Sequence, residues 1–203
     1  MREYRESGLA FHFPKKWIVI KFDKHRFYRY LSGRSMKGVD FLLIIHYEKL
    51  ILVEVKNFNN RFEKDHINPT ETFLDNLDPF FNAFVDKFND TLQAIRVVQA
   101  YYARRWWFRY MARPFARHFP AAWWTRFEWG RWHLMYLLSV RQQVEPVVVL
   151  SYDHHLPLDR ERIRHGFERK MAATATIPRG RLIFVDADVS PRLFEVLSRE
   201  FPE

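Results

Sequence analysis

At 203 residues, with 48% hydrophobic and 18% aromatic content, the chain is long enough to bury a core without covalent staples. It has no cysteine, which excludes disulfides, thiolate metal sites and a cysteine nucleophile, fits a reducing cytoplasm, and leaves oxygen and imidazole as ligands for any metal. Thirty-three lysines and arginines against 24 acids give a net charge of +9, which makes a polyanion the natural partner: nucleic acid first, an anionic membrane second.

The first ten residues carry Arg2, Glu3, Arg5 and Glu6 with no apolar stretch behind them, so no secretory signal is visible. No apolar run reaches the ~18 residues needed to span a bilayer. Three β-branched or apolar runs follow, Trp17–Lys21, Val39–Ile45 and Leu50–Val55, and predict three consecutive strands, the last two forming a hairpin that turns around Tyr47–Lys49. Asn57–Leu77, rich in Asn and Asp, reads as a loop. Asp78-Pro79 supplies a helix start, and Phe81, Phe84, Val85, Phe88, Leu92, Ile95 and Val98 recur at helical spacing, so a long amphipathic helix runs from Pro79 to Tyr101 or beyond.

Residues 101–133 form a block of different composition, with seven arginines against the single acid Glu128 and six of the seven tryptophans. We treat it as a helical insertion into one domain spanning residues 1–203. Beyond it, Leu134–Val140 and Val147–Leu150 read as strands, Asp159–Ala173 as a helix, Leu182–Val185 as a strand, and Ser190-Pro191 as the opening of a final helix. Alternating strands and helices predict an α/β fold, a central mixed sheet covered on both faces.

Phosphodiester hydrolysis needs a divalent cation on hard oxygen ligands and a positive charge near the reacting phosphorus. Asp40 at the start of one strand and Glu54 near the end of the next return to the same end of a hairpin. Lys56, two residues on, leaves the strand on the face that Glu54 occupies, while Val53 and Val55 take the opposite, core-facing side. The Val55 carbonyl offers a further ligand, and Lys56 can orient water or stabilise charge on phosphorus. Met36-Lys37-Gly38-Val39-Asp40-Phe41 followed by Leu52-Val53-Glu54-Val55-Lys56-Asn57-Phe58 resembles the D…ExK signature of the PD-(D/E)XK, or restriction-endonuclease-like, nucleases.

That resemblance implies a restriction-endonuclease-like core over residues 17–110 and a Mg²⁺- or Mn²⁺-dependent nuclease acting on DNA, with Asp40, Glu54 and Val55 as metal ligands and Lys56 assisting catalysis. Many members carry a further acid ahead of the first strand; here Glu6 and Asp23 are the positions available. The resemblance also places the helix after the hairpin beside the site, where Lys87, Asp90 and Thr91 share one face as supporting groups. The rival for these charges is a solvated sheet edge, and the rival function is a nucleic-acid-binding module of the same fold without turnover.

The aromatic block has three readings. Its rings pack on the domain or across a homodimer; residues such as Arg104, Arg105 and Arg109, with Lys37, hold nucleic acid; or residues 104–132 lie on a membrane surface. His154 and His155 are adjacent and point different ways, so they read as loop residues rather than a zinc site. No P-loop or Gly-x-Gly-x-x-Gly run is present.

Overall fold

The computed structural model describes residues 2–33, 36–58, 77–152, 159–174 and 180–186. Two short strands precede the expected first one: β1 (Arg2–Glu6) and β2 (Leu9–Phe13) pair antiparallel around Ser7-Gly8. Both loop residues have positive φ, 50° and 77°, the pattern of a two-residue turn whose twist matches the flanking strands. Leu9, Phe11 and Phe13 alternate inward along β2.

β3 (Ile18–Lys21) leads through α1 (Arg26–Ser32) to β4 (Phe41–Ile45) and β5 (Lys49–Asn57). β4 and β5 form the expected hairpin, turning at His46–Glu48, and β3 pairs antiparallel with β4. The long helix α2 covers Leu77–Ala103, so Asp78 lies in its first turn rather than capping it. A π-helical segment (Phe108–Ala112), α3 (Arg113–His118), α4 (Ala121–Trp124) and α5 (Glu128–Val140) follow. β6 (Val144–Tyr152), α6 (Arg160–Ala172) and β7 (Arg181–Asp186) complete a five-stranded mixed sheet of order β3-β4-β5-β6-β7, with β6 and β7 parallel to β5. The expected helix after Ser190, His154, His155 and most of the 57–77 segment lie outside the described residues.

Leu134–Val140, expected as a strand, is instead the C-terminal half of α5. Leu134, Met135 and Leu138 are buried while Tyr136 and Leu137 remain half-buried. Sandwiched between α2 and the sheet, this helix has almost no polar face, and a continuous apolar run hides its 3.6-residue period.

Both sheet faces are covered, as expected, but by different elements. Leu42, Ile44, Leu50, Leu52, Val148 and Leu150 face a core shared with Phe84, Phe88, Ile95, Trp132 and Phe167 from the helices. Phe41, Leu43, Ile51, Val53, Val55 and Val147 point the other way, onto Leu9, Phe11, Phe13 and Trp17 of the N-terminal hairpin region. Every residue from Phe41 to Ile45 is therefore buried. Among the described residues no helix is long and apolar enough to cross a membrane.

One glycine fixes how the aromatic block docks. A Cβ on Gly130, in the first turns of α5, would lie 2.0 Å from the Trp124 carbonyl oxygen and 2.6 Å from its carbon, both backbone atoms that have little room to give. Gly130→Ala must separate α4 from α5 despite alanine's better helix propensity. The variant is expected to lose about 1–3 kcal/mol in urea unfolding, and a midpoint equal to or above that of the parent would show that the α4–α5 contact yields freely.

Candidate functional site

The strand register brings the two candidate carboxylates together. Phe41 pairs with Val53, so the next position out sets Asp40 opposite Glu54. The Asp40 amide donates to the Val53 carbonyl at 3.0 Å, and its own carbonyl accepts from the Phe22 amide at 2.8 Å, continuing the sheet one residue beyond β4 on both sides. β5 runs past this point, which would leave the Val55 amide without a ladder partner. The Asp40 carboxylate accepts that N–H instead, Oδ2 to N at 2.7 Å. Because the N–H and C=O of one strand residue point to the same side, the Val55 carbonyl is directed toward this same edge.

Glu54 sits in the helix-facing core and is only 1% exposed. Its burial corrects the picture of a solvated strand edge. Oε1 receives the Lys87 ammonium from α2 and lies 3.4 Å from the Lys56 Nζ, whereas Oε2 is buried and has no hydrogen-bond partner among the described residues. Lys56 projects on the same face as Glu54 but reaches outward, with 41% of its side chain exposed. Val55 lies on the opposite, hairpin-facing side.

The supporting face of α2 does more than stand nearby. Asp90 Oδ2 accepts the Lys37 amide at 2.8 Å, and Thr91 Oγ1 accepts the Val39 amide at 3.1 Å while donating to the Lys87 carbonyl at 2.7 Å. Lys87, Asp90 and Thr91 of α2 thus hold the segment Lys37–Val39 and the Glu54 carboxylate, which fixes where Asp40 enters the sheet. Gly38 is needed here too, since a Cβ would lie 2.6 Å from the Tyr28 ring and 2.9 Å from that of Phe22.

A contribution that escaped sequence reasoning comes from the N-terminal hairpin. Lys21 binds Glu6 at 2.5 Å and donates to the Arg5 carbonyl at 2.6 Å, and Asn57 donates to the Ser7 carbonyl at 2.7 Å. The hairpin is thereby tied to the end of β5 just past Lys56. Glu6 comes close enough for its charge to raise the affinity of both Asp40 and Asp23 for a proton. The Ser7-Gly8 turn is a hairpin signal in the sequence, but the contact with β5 is a tertiary one that no local pattern carries.

Electrostatics at the carboxylate pair are unbalanced. Burial and the adjacent Glu54 charge push the Asp40 carboxyl up to about 7, against the lowering effects of the Val55 N–H and of Lys87. Among the described residues no group of three acids or histidines converges as a ready-made metal cage. Magnesium, however, characteristically takes one or two protein carboxylates and completes its octahedron with water and phosphate. A buried carboxylate oxygen without a partner, a second carboxyl that resists ionisation beside it and a carbonyl aimed at the same edge form a donor set of the hard, anionic kind that such a cation fits.

The remaining candidates are placed elsewhere. Lys37 is exposed at the entry to the site. Arg104 and Arg105 follow the far end of α2, about 26 Å from Lys87 at 1.5 Å per residue. Arg105 stacks on Tyr101 at 4.9 Å, and Arg109 lines a separate cavity. In the aromatic block Phe108, Trp124 and Trp132 are buried, whereas Trp106 and Trp123 are 69% and 57% exposed, so its rings serve only partly as core. Its single acid, Glu128, is engaged by Arg26 and by His25 at 3.3 Å, both outside the block. No family model, curated protein or solved structure matches the chain.

Proposed function

We propose that the chain is a metal-dependent nuclease of the PD-(D/E)XK type, cutting phosphodiester bonds in DNA. What carries this reading is the pairing of Asp40 with Glu54 across two strands, with a buried carboxylate oxygen left over and a lysine on the same face two residues on. Asp40, Glu54 and the Val55 carbonyl would hold Mg²⁺ or Mn²⁺. When bound, that ion supplies charge neutralisation at the scissile phosphate and lowers the pKa of a coordinated water.

The protein's own groups divide the remaining work. Lys87 sets the rotamer of Glu54 through Oε1, leaving Oε2 for the ligand. Asp90 and Thr91 keep Asp40 in register through the Lys37–Val39 backbone. Lys56, anchored near Glu54 yet reaching solvent, orients the attacking water by its lone pair and neutralises charge as phosphorus becomes pentavalent. Water adds to phosphorus, the bond to one ester oxygen breaks, and the released proton passes to solvent.

A second reading, a DNA-binding module without turnover, has one observation in its favour: two lysines already sit on Glu54. Supercoiled plasmid incubated with Mg²⁺ or Mn²⁺ separates the two. The parent is expected to nick it, and Asp40→Ala and Lys56→Ala to be slower by at least about 100-fold. Equal cutting by all three proteins would overturn the nuclease, and plasmid retention without cutting by any of them would favour the binding module.

A further inference from the structure

Far from the carboxylate pair, the C-terminal half of α2, the π-helical segment, α3 and α5 line an open cavity of about 1090 Å³. Arg96, Arg109, Arg113, Arg117 and Arg141 all line it. It lies at the opposite end of the sheet, since Gln143, two residues beyond Arg141, accepts the amide of Leu50 at the start of β5, whereas Glu54 is near the end of that strand. Along α2 the distance from Lys87 to Arg96 and Ala103 is about 14–24 Å.

Three observations set this cavity apart from an ordinary solvated basic surface. The first is the lack of compensation. Among the described residues none of the five guanidiniums has an ion pair or hydrogen bond, and no acid lines the cavity. From Thr91 to Val144 the sequence holds nine arginines, no lysine and one acid, Glu128, which is spent on Arg26 and His25. Surface charges that serve solubility alone are interspersed with the opposite sign, because converging like charges repel.

The second is the residue type. Guanidinium presents a planar fork of donors that matches two oxygens of a phosphate, and it is more weakly hydrated than ammonium, so an all-arginine set suits phosphate better than a general anion. The third is the buried polar pair lining the cavity. His133 Nδ1 and Gln99 Oε1 are 3.4 Å apart, and both residues are buried. Burial, then the charges of Arg113 and Arg117, holds the His133 imidazole down at about 4, so it stays neutral and adds a hydrogen-bonding group rather than another charge. Leu137 and Val140 give the same cavity apolar wall. Its volume is that of a site for a small organic ligand rather than for a single ion.

From this arrangement we infer that the cavity is a polyphosphate-binding site, in which Arg109, Arg113, Arg117 and their neighbours grip several phosphates at once. The phosphates belong to a nucleoside polyphosphate or to consecutive nucleotides of a strand; the chemistry of the grip is shared. The inference is independent of the nuclease reading, which concerns the other end of the sheet.

Isothermal titration of the full chain in low salt with a chelator present, which silences any cation-dependent centre, tests it. The probes are inorganic tripolyphosphate, adenosine triphosphate and a 12-nucleotide single-stranded DNA. Tripolyphosphate is expected to bind, and Arg113→Gln/Arg117→Gln to weaken it by at least about 100-fold, since two charge-assisted contacts are lost. The matched pair Arg2→Gln/Arg126→Gln, outside the cavity, removes the same charge and should leave affinity within about threefold, the size of a screened long-range effect. Without ligand, Arg113→Gln/Arg117→Gln should melt at or above the parent temperature, because it relieves repulsion and breaks no pair.

The source of the phosphates is read from the other two probes. Adenosine triphosphate binding more tightly than tripolyphosphate marks a nucleotide site, and DNA that displaces tripolyphosphate, with the same loss in the cavity variant, marks a strand site. Either result supports the inference. Absence of tripolyphosphate binding would overturn it, as would equal losses in the two double variants, which would mean diffuse charge.

Discussion

Asp40→Asn is expected to make the metal-free protein more stable at pH 8 than its parent while abolishing its response to divalent cations. The sign follows from the Asp40 carboxyl, which is raised to about 7 by burial and by Glu54. A raised acid binds its proton more tightly folded than unfolded, so its contribution is fully present below the ordinary carboxylate value near 3.9 and is lost as pH climbs through 7. The limiting slope is about 1.4 kcal/mol per pH unit, and across that window the loss is of order 2–4 kcal/mol. Asparagine keeps an oxygen for the Val55 amide and removes the charge, so its melting temperature at pH 8 should exceed the parent's by about 5–10 °C.

Other groups titrate in the same range. His133, lowered to about 4 by burial and by Arg113 and Arg117, works in the opposite direction: its contribution is lost as pH falls below about 6.5. It is common to both proteins, so the difference between their urea midpoints at pH 5 and pH 8 isolates Asp40. Parallel pH profiles would show that Asp40 is not under electrostatic strain. Added Mn²⁺ should restore the parent at pH 8 and leave Asp40→Asn unchanged. A side chain whose removal stabilises the protein is held there for something other than folding.

How far this site could be read from sequence depends on whether its geometry is local. Asp40, Glu54 and Lys56 lie on one hairpin, where period-2 alternation and antiparallel register convert spacing into position. Lys87, Asp90 and Thr91 lie on a strongly periodic helix, so their common face was legible, although not that each would engage a different atom of the Lys37–Glu54 region. The N-terminal hairpin was missed because β1 is charged and exposed, and its worth lies in covering Phe41 and Val53 from a distance in sequence. Leu134–Val140 was misread for the opposite reason: burial on several sides erases the polar face that distinguishes a helix from a strand. In the insertion, composition alone showed arginine excess, but only the packing of α2, the π-helical segment, α3 and α5 gathers three of those charges, with Arg96 and Arg141 from either side of it, around one volume.

Lys87→Met is expected to be the most destabilising of the conservative changes at the carboxylate pair, and the most informative. Glu54 is 1% exposed and its contact with Lys87 is closer than that with Lys56, which lies 3.4 Å away and is partly solvated. Removing one member of a buried ion pair leaves the other's desolvation uncompensated, at a cost of about 3 kcal/mol with Lys56 still in place. Replacing both, Glu54→Leu with Lys87→Met, should recover most of that loss, because the pair itself adds little net stability over apolar packing. A structural ion pair and a cation-binding carboxylate make this same prediction without metal, and diverge when metal is added. If Glu54 holds a divalent ion, Lys87 competes with it for the same charge, so Lys87→Met should bind Mn²⁺ about tenfold more tightly than the parent. At one hundred times the dissociation constant the ion should then return about 2.7 kcal/mol, nearly the whole deficit, while the double variant gains nothing. A Lys87→Met protein that stays destabilised at saturating Mn²⁺ would reduce Glu54 to a structural partner of its lysine and take the proposed metal centre with it.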